Sequence, residues 1–210
     1  MRKFKFQPTI KLKFNHKKMN LESIVKSYIG QNIAESIANK LNLDIKTVQS
    51  MIDKAIPLFL GGMANNADKN PSQAEGLFKA ITTDHDGSVF GNIGALMQDP
   101  KALKADKILQ HVLGPKEDKL ETALAADSGV KKEEATGMMQ MLAPLVMGAL
   151  GKEQTDKNLK ANHLAKMFAQ EKEHIQKQKA SHPLLSMLDK EGDGVADDLL
   201  KMGMGFFNKS

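Results

Sequence analysis

The sequence predicts an all-α, multihelical protein made of two related helical repeats with helix-turn-helix corners, packed into one unit. Three observations carry that expectation. From Leu21 onward, apolar residues recur at spacings of three and four, and no stretch after residue 18 alternates convincingly with period two. The order of features then repeats: AIPLFLGGM (55–63) aligns with LAPLVMGAL (142–150) at an offset of 87, pairing Pro57 with Pro144, Leu58 with Leu145 and Gly61 with Gly148. Further on, LFKAITTDHDG (77–87) aligns with LLSMLDKEGDG (184–194) at an offset of 107, pairing Ile81 with Leu188 and Asp86-Gly87 with Asp193-Gly194. The larger second offset places a charged insertion, residues 151–180, inside the second repeat.

The elements follow in order. Residues 1–18, MRKFKFQPTIKLKFNHKK, form a basic head whose Lys-Phe alternation differs from everything after it. The head lacks the apolar run of roughly seven or more residues that a secretory signal requires. It is expected to be a disordered arm or to precede the native start, with an added strand or a nucleic-acid or membrane arm as alternatives. The first repeat, 19–106, opens with Leu21, Ile24, Val25, Tyr28 and Ile29 at helical spacing, and Ile33, Ile37 and Leu41 continue it after Gly30. Asn42 suits a left-handed helix stop, and Asp44 can cap a helix carrying Val48, Met51, Ile52, Ala55 and Phe59. Pro57 falls inside that pattern and should kink the helix or mark a break. Pro71-Ser72-Gln73 opens another helix, covering Ala74 to Ile81. The second repeat, 107–210, follows the same plan, with Ala125, Gly129, Val130 and Met138 standing where the offset puts Ala38, Asn42, Leu43 and Met51. Its stretch from Met138 to Leu150 is apolar on nearly every face, as is Ile56 to Met63. Helices of that kind are buried on all sides, so the two are expected to pack together, with Gly61, Gly62, Gly148 and Ala149 allowing close approach.

Charge and composition remove several functions. The chain carries 30 basic and 25 acidic residues, a net charge of +5. Seven of those basic residues sit in the head, so the remaining 192 residues have 23 basic against 25 acidic groups and a net charge of −2. A body so close to neutral lacks the basic footprint of a duplex binder. There are no cysteines, hence no disulfide framework, thiolate metal site or thiol nucleophile, which fits a cytoplasmic protein. No stretch reaches the roughly 18–20 apolar residues that span a bilayer.

Each candidate site has a plain structural reading beside it. Counting a calcium loop from Asp189 puts Glu191, Asp193, Gly194 and Asp197 in register, but Leu200 occupies the place of the bidentate Glu. The paired copy offers Asp84, Asp86 and Gly87, then Phe90 and Ile93 where further ligands belong. What the copies share is turn chemistry, an Asp bonding its own backbone and a Gly free to take positive φ. The 189–198 loop is thus read as a turn, with weak calcium binding through Asp189, Glu191, Asp193 and Asp197 as the alternative. Ala38, Asn42 and Val48 match helix-turn-helix spacing, and Ala125, Gly129 and Ala135 repeat it. Lys46, Gln49 and Ser50 could face DNA, but Lys131, Lys132, Glu133 and Glu134 cancel in the second corner. A corner packed for structure is preferred. His163 and His174 share a helix face yet lie about 16 Å apart along it, and His85 and His182 sit in loops; all are read as solvated. The methionines of 138–147 read as core, with an adaptable partner groove as the alternative. No Gly-rich phosphate loop, nucleophile elbow or HExxH occurs.

The stretch IPLFLGGMANNADKNPSQAEGLFKAITTDHDGSVFGNIGALM (56–97), with its P-L-x-x-G-x-x-x-N helix and D-H-D-G-S turn, resembles a bacterial YidB-like family, the domain of unknown function nine-three-seven. LLSMLDKEGDGVADDLLKMGMGFF (184–207) is similar to a second form of that ending, so the resemblance runs over residues 20–207. It implies an all-helical fold with homeodomain-like corners and no assigned activity, and it carries over no site residues. The expectation is a non-enzymatic binding or structural module without a cofactor; its partner stays open, with a protein as one candidate and nucleic acid possible but not favoured. A DNA-associated helix-turn-helix protein is the leading alternative.

Overall fold

The computed structural model describes residues 20–69, 71–179 and 182–188. Among them every regular element is helical, as the spacing predicts. The long elements are α1 (Leu21–Tyr28), α2 (Gln31–Leu41), α3 (Ile45–Lys69), α4 (Pro71–Lys79), α5 (Ile93–Gln98), α6 (Ala105–Leu113), α7 (Glu117–Ser128), α8 (Lys132–Lys157) and α9 (Ala161–Gln178), followed by the single turn α10 (Pro183–Ser186). A π-helical turn, Ala80–Asp84, and 3-10 turns at Ser88–Gly91 and Pro100–Leu103 fill the segment between α4 and α6. The basic head and the acidic loop 189–198, with Asp189, Glu191, Asp193 and Asp197, lie outside the described residues.

Local chemistry sets the helix ends. Asn20 accepts from the Ser23 N–H at 2.9 Å and opens α1, and Asp44 does the same for Thr47 at 2.9 Å and opens α3. Each supplies an acceptor to a first-turn donor that has no partner within the helix. Asn42 stops α2 at φ 54°, and Gly129, its counterpart at the offset of 87, stops α7 at φ 67°. Both residues tolerate the left-handed region that an abrupt stop requires.

The two long helices form the centre, and one continuous apolar cluster runs from Leu21 to Leu188 around them. Two expectations change here. No break occurs at Pro57, because α3 runs unbroken through it as α8 does through Pro144. An interior proline forfeits a backbone hydrogen bond, but burial on both sides holds these helices together: Ile56, Leu58 and Phe59 are fully buried, as are Ala143 and Leu145. The glycines do not set the approach of α3 to α8 either. A Cβ on Gly61 would meet Leu188 Cδ1 at 2.5 Å, and one on Gly62 would meet the Val112 carbonyl oxygen at 2.6 Å. Gly148 faces Val89 at 2.5 Å. These three glycines admit neighbours on the flanks of each long helix.

The charged insertion is no surface excursion. Residues 161–178 form α9, which lays Leu164, Phe168 and Ile175 into the core and packs along α3. Most of its charges lie on the outward face, as an amphipathic helix requires, and Glu171 is buried with the apolar side chains. No helix among the described residues is long and apolar enough to cross a membrane.

Candidate functional site

Gly151 of α8 lies so close to the π-helical turn that a Cβ there would fall 1.6 Å from the His85 carbonyl oxygen. Three residues earlier, Gly148 admits Val89 and Phe90. Gly148 and Gly151 therefore lie side by side with residues 81–90, the stretch that ends in Asp84-His85-Asp86-Gly87-Ser88. The turn forms as its chemistry predicts: Asp86 Oδ1 accepts from the Ser88 N–H at 2.9 Å and Gly87 takes φ +91°. Those bonds from Ser88 hold the Asp86 carboxyl below its usual range. On the far side, Phe90 stacks on Tyr28 with ring centroids 5.6 Å apart. The Tyr28 hydroxyl donates to Glu153 Oε2 at 3.3 Å. Burial, with the Glu153 and Asp156 charges, pushes the Tyr28 hydroxyl up to about 12, so it stays a donor. Glu153 is itself 6 % exposed and pairs with Lys157.

This clamp leaves a cleft of about 350 Å³ between α8 and the 84–104 segment. Its apolar surface comes from Val89, Ala95, Ala102, Leu103 and Pro144. Its polar groups are Asp84, His85, Ser88, Asn92 and Lys104. Burial lowers the His85 imidazole below its ordinary value, and Lys104 adds to this while Asp84 and Asp86 oppose it. The ring is therefore uncharged at neutral pH, and it makes no hydrogen bond among the described residues. Asp99 fixes the opposite wall by accepting from the Lys101 and Ala102 N–H groups at 3.0 and 3.2 Å. The wall ends at Lys104, a non-glycine residue in the left-handed region at φ 61°.

The other predicted positions do not converge. Lys46 and Gln49 are exposed and Ser50 half-buried at the first corner. At the second corner Lys132 pairs with Asp118, and the Lys131 N–H donates to Glu134 Oε2 at 2.7 Å. Met138, Met139, Met141 and Met147 are buried core, as preferred. The solvated reading of the histidines needs correction at three of them, since His182, just before α10, is half-buried as well. His85 is half-buried in the cleft, and His174 is half-buried 3.5 Å from Glu22 where α9 meets α1. Helix packing, which local spacing does not encode, draws both inward. His163 is exposed and its Nδ1 accepts from the Lys160 N–H at 3.3 Å. Among the described residues no group of three His, Asp or Glu could hold a metal ion. Sequence reasoning missed the cleft itself. The Asp-His-Asp-Gly-Ser run signalled half of it; nothing marked Lys104 or the wall opposite.

The profile of a family described as bacterial protein of unknown function (DUF937) matches residues 23–153. The chain belongs to that family. The match ends before α9, so it is shorter than the span 20–207 drawn from the motifs, but it contains every residue lining the cleft. No curated protein and no solved structure matches the chain.

Proposed function

We propose that the chain is a non-enzymatic binding module that takes its ligand in the cleft between α8 and the 84–104 segment. The make-up of the cleft carries this reading. Its volume of about 350 Å³ falls within the roughly 300–1,000 Å³ typical of ligand sites, and a largely apolar surface with a few polar groups is their usual composition. The polar groups are arranged for holding. Asp86 is committed to the turn, Ser88 donates its N–H to that carboxylate, and His85 has no partner to orient it as a base for a nucleophile. The DNA reading draws less support, because α3 and α8 expose little beyond their first turns before sinking into the core, and the body is nearly neutral. We read the halves as related repeats on the paired left-handed stops and prolines.

Nuclear magnetic resonance of the labelled chain, titrated with pooled small metabolites and short peptides, tests the cleft. The amides of His85, Ser88, Val89, Lys104 and Gly148 should shift together. Ala102→Trp, at an exposed wall position, should plug the cleft and remove the response without disturbing the core. Ligand shifts confined to other surfaces, or unaffected by Ala102→Trp, overturn the reading. Salt-dependent duplex binding by residues 19–210 would favour the DNA alternative.

A further inference from the structure

Two charges of opposite sign without ion-pair partners among the described residues line the cleft that holds the His85 imidazole. Asp84, His85 and Lys104 all line the same cleft, so a ligand seated there has both charges on its walls. Neither has an ion-pair partner among the described residues. The lysines around them do: Lys101 pairs with Asp106 at 3.6 Å and Lys152 with Asp156 at 3.1 Å. Lys104 is also held at a backbone conformation that L-residues avoid. Like Asn42 and Asn158, the other non-glycine residues with positive φ among the described residues, it ends a helical turn, but those two are of the residue type that tolerates the conformation. A lysine kept where glycine or asparagine fits better is a strained residue at a cleft, and such strain is characteristic of binding positions. The same cleft has apolar surface from Val89, Leu103 and Pro144.

We infer that the ligand is a small zwitterion, a free amino acid or a dipeptide, with its ammonium at Asp84, its carboxylate at Lys104 and its side chain over the apolar surface. The inference rests on the reading of the cleft as a binding site. A ligand with a single charge leaves one of the two side chains uncompensated, and a polyanion meets Asp84. Only a molecule carrying both charges a short distance apart satisfies both walls. The uncharged imidazole in the same cleft can then hydrogen-bond either end of the ligand.

Calorimetric titration of the full chain with L-alanyl-L-leucine, its N-acetyl form and its C-terminal amide tests this. The free dipeptide should bind, and each capped form should bind roughly tenfold more weakly, the cost of one charge-assisted hydrogen bond. Asp84→Asn should erase the difference between the free and acetylated peptides. Lys104→Gly should erase the difference between the free peptide and the amide, and it should fold at least as stably because glycine accepts the left-handed backbone. Capped peptides that bind as tightly as the free one overturn the inference. So does a failure of all three peptides while another ligand shifts the cleft amides in a manner blocked by Ala102→Trp, which leaves the cleft reading intact. If no ligand perturbs the cleft, both fall.

Discussion

At Gly151 a single hydrogen in place of a methyl group decides whether the π-helical turn can reach α8. A Cβ there would lie 1.6 Å from one backbone oxygen and 2.8 Å from the Ile81 oxygen, and neither is a flexible side-chain end that could swing away. Gly151→Ala should therefore destabilise the chain by about 3 kcal/mol, the upper range for overpacking, read as a shift of the urea midpoint at constant m. Gly76 is the control. It lies in α4 with open space around its Cα, so Gly76→Ala should be neutral or stabilise by roughly 0.5–1 kcal/mol. Equal effects at the two sites would mean that the turn can lift from α8 at no cost. The Asp86-Gly87 turn was legible in the sequence because its chemistry is local, a carboxylate bonding two residues on and a glycine at positive φ. The left-handed backbone of Lys104 was not, because a lysine there gives no sign of the stop it makes between the 3-10 turn Pro100–Leu103 and α6.

Among the elements, α9 departs furthest from its appearance in the sequence. A lysine- and glutamate-rich stretch becomes a core helix because its sparse apolar residues, Leu164, Phe168 and Ile175, fall on one face. Phe168 is 4 % exposed, and Phe168→Ala should cost roughly 3–5 kcal/mol. A loss under about 1 kcal/mol would show that α9 is only loosely docked. On the same helix Glu171 is 1 % exposed and accepts from the Leu21 N–H at 2.8 Å, with Oε1 lacking a partner among the described residues. Burial raises its carboxyl above the ordinary 4.5, against the pull of the Leu21 N–H and of His174. A carboxyl raised by folding contributes stability below its unfolded value and loses it as the pH climbs through the folded value. Glu171→Gln keeps an acceptor for Leu21 and removes that titration. The thermal midpoint of the variant should therefore gain on the native chain as the pH rises from about 4 to about 7. Glu22, whose carboxyl Lys26 lowers in spite of burial, titrates in the opposite sense but is present in both chains, so it largely cancels from the comparison. A constant difference across that range would show that Glu171 does not titrate.

On the scale of the whole molecule, the tail of each half rests on the long helix of the other. Ile81 and His85, from the first half, lie against Gly151 of α8; Leu188, from the second, lies against Gly61 of α3. The two tails are those that the offset of 107 pairs. Residues 19–106 alone would keep α3 without Leu188, α6 or α9, and residues 107–210 would keep α8 without its covering turn. At roughly 25 cal/mol per Å² of exposed apolar surface, neither half retains a competitive core. Expressed separately, the fragments should be unstable or self-associating, and the whole chain should melt in one transition by calorimetry and circular dichroism alike. Two soluble monomeric fragments melting as sharply as the intact chain would contradict this.

The sequence by itself determined what local chemistry controls. The three- and four-residue spacing made the chain helical, Asn42 and Gly129 stopped two helices, Asp44 started another, and the apolar runs marked α3 and α8 as interior. Tertiary structure decided the rest. A proline's cost depends on how much burial surrounds it, so only the packed core shows that α3 survives Pro57. A glycine's use depends on what approaches it: Gly61 meets Leu188 and Ile175 of α9, Gly62 meets Val112 and Leu113 of α6, and Gly148 meets the 87–90 turn. The cleft joins Asp84 and His85 to Lys104 and Pro144, residues up to sixty positions apart, through an approach that a missing Cβ at Gly151 permits. No periodicity records such a contact, because it belongs to two segments at once.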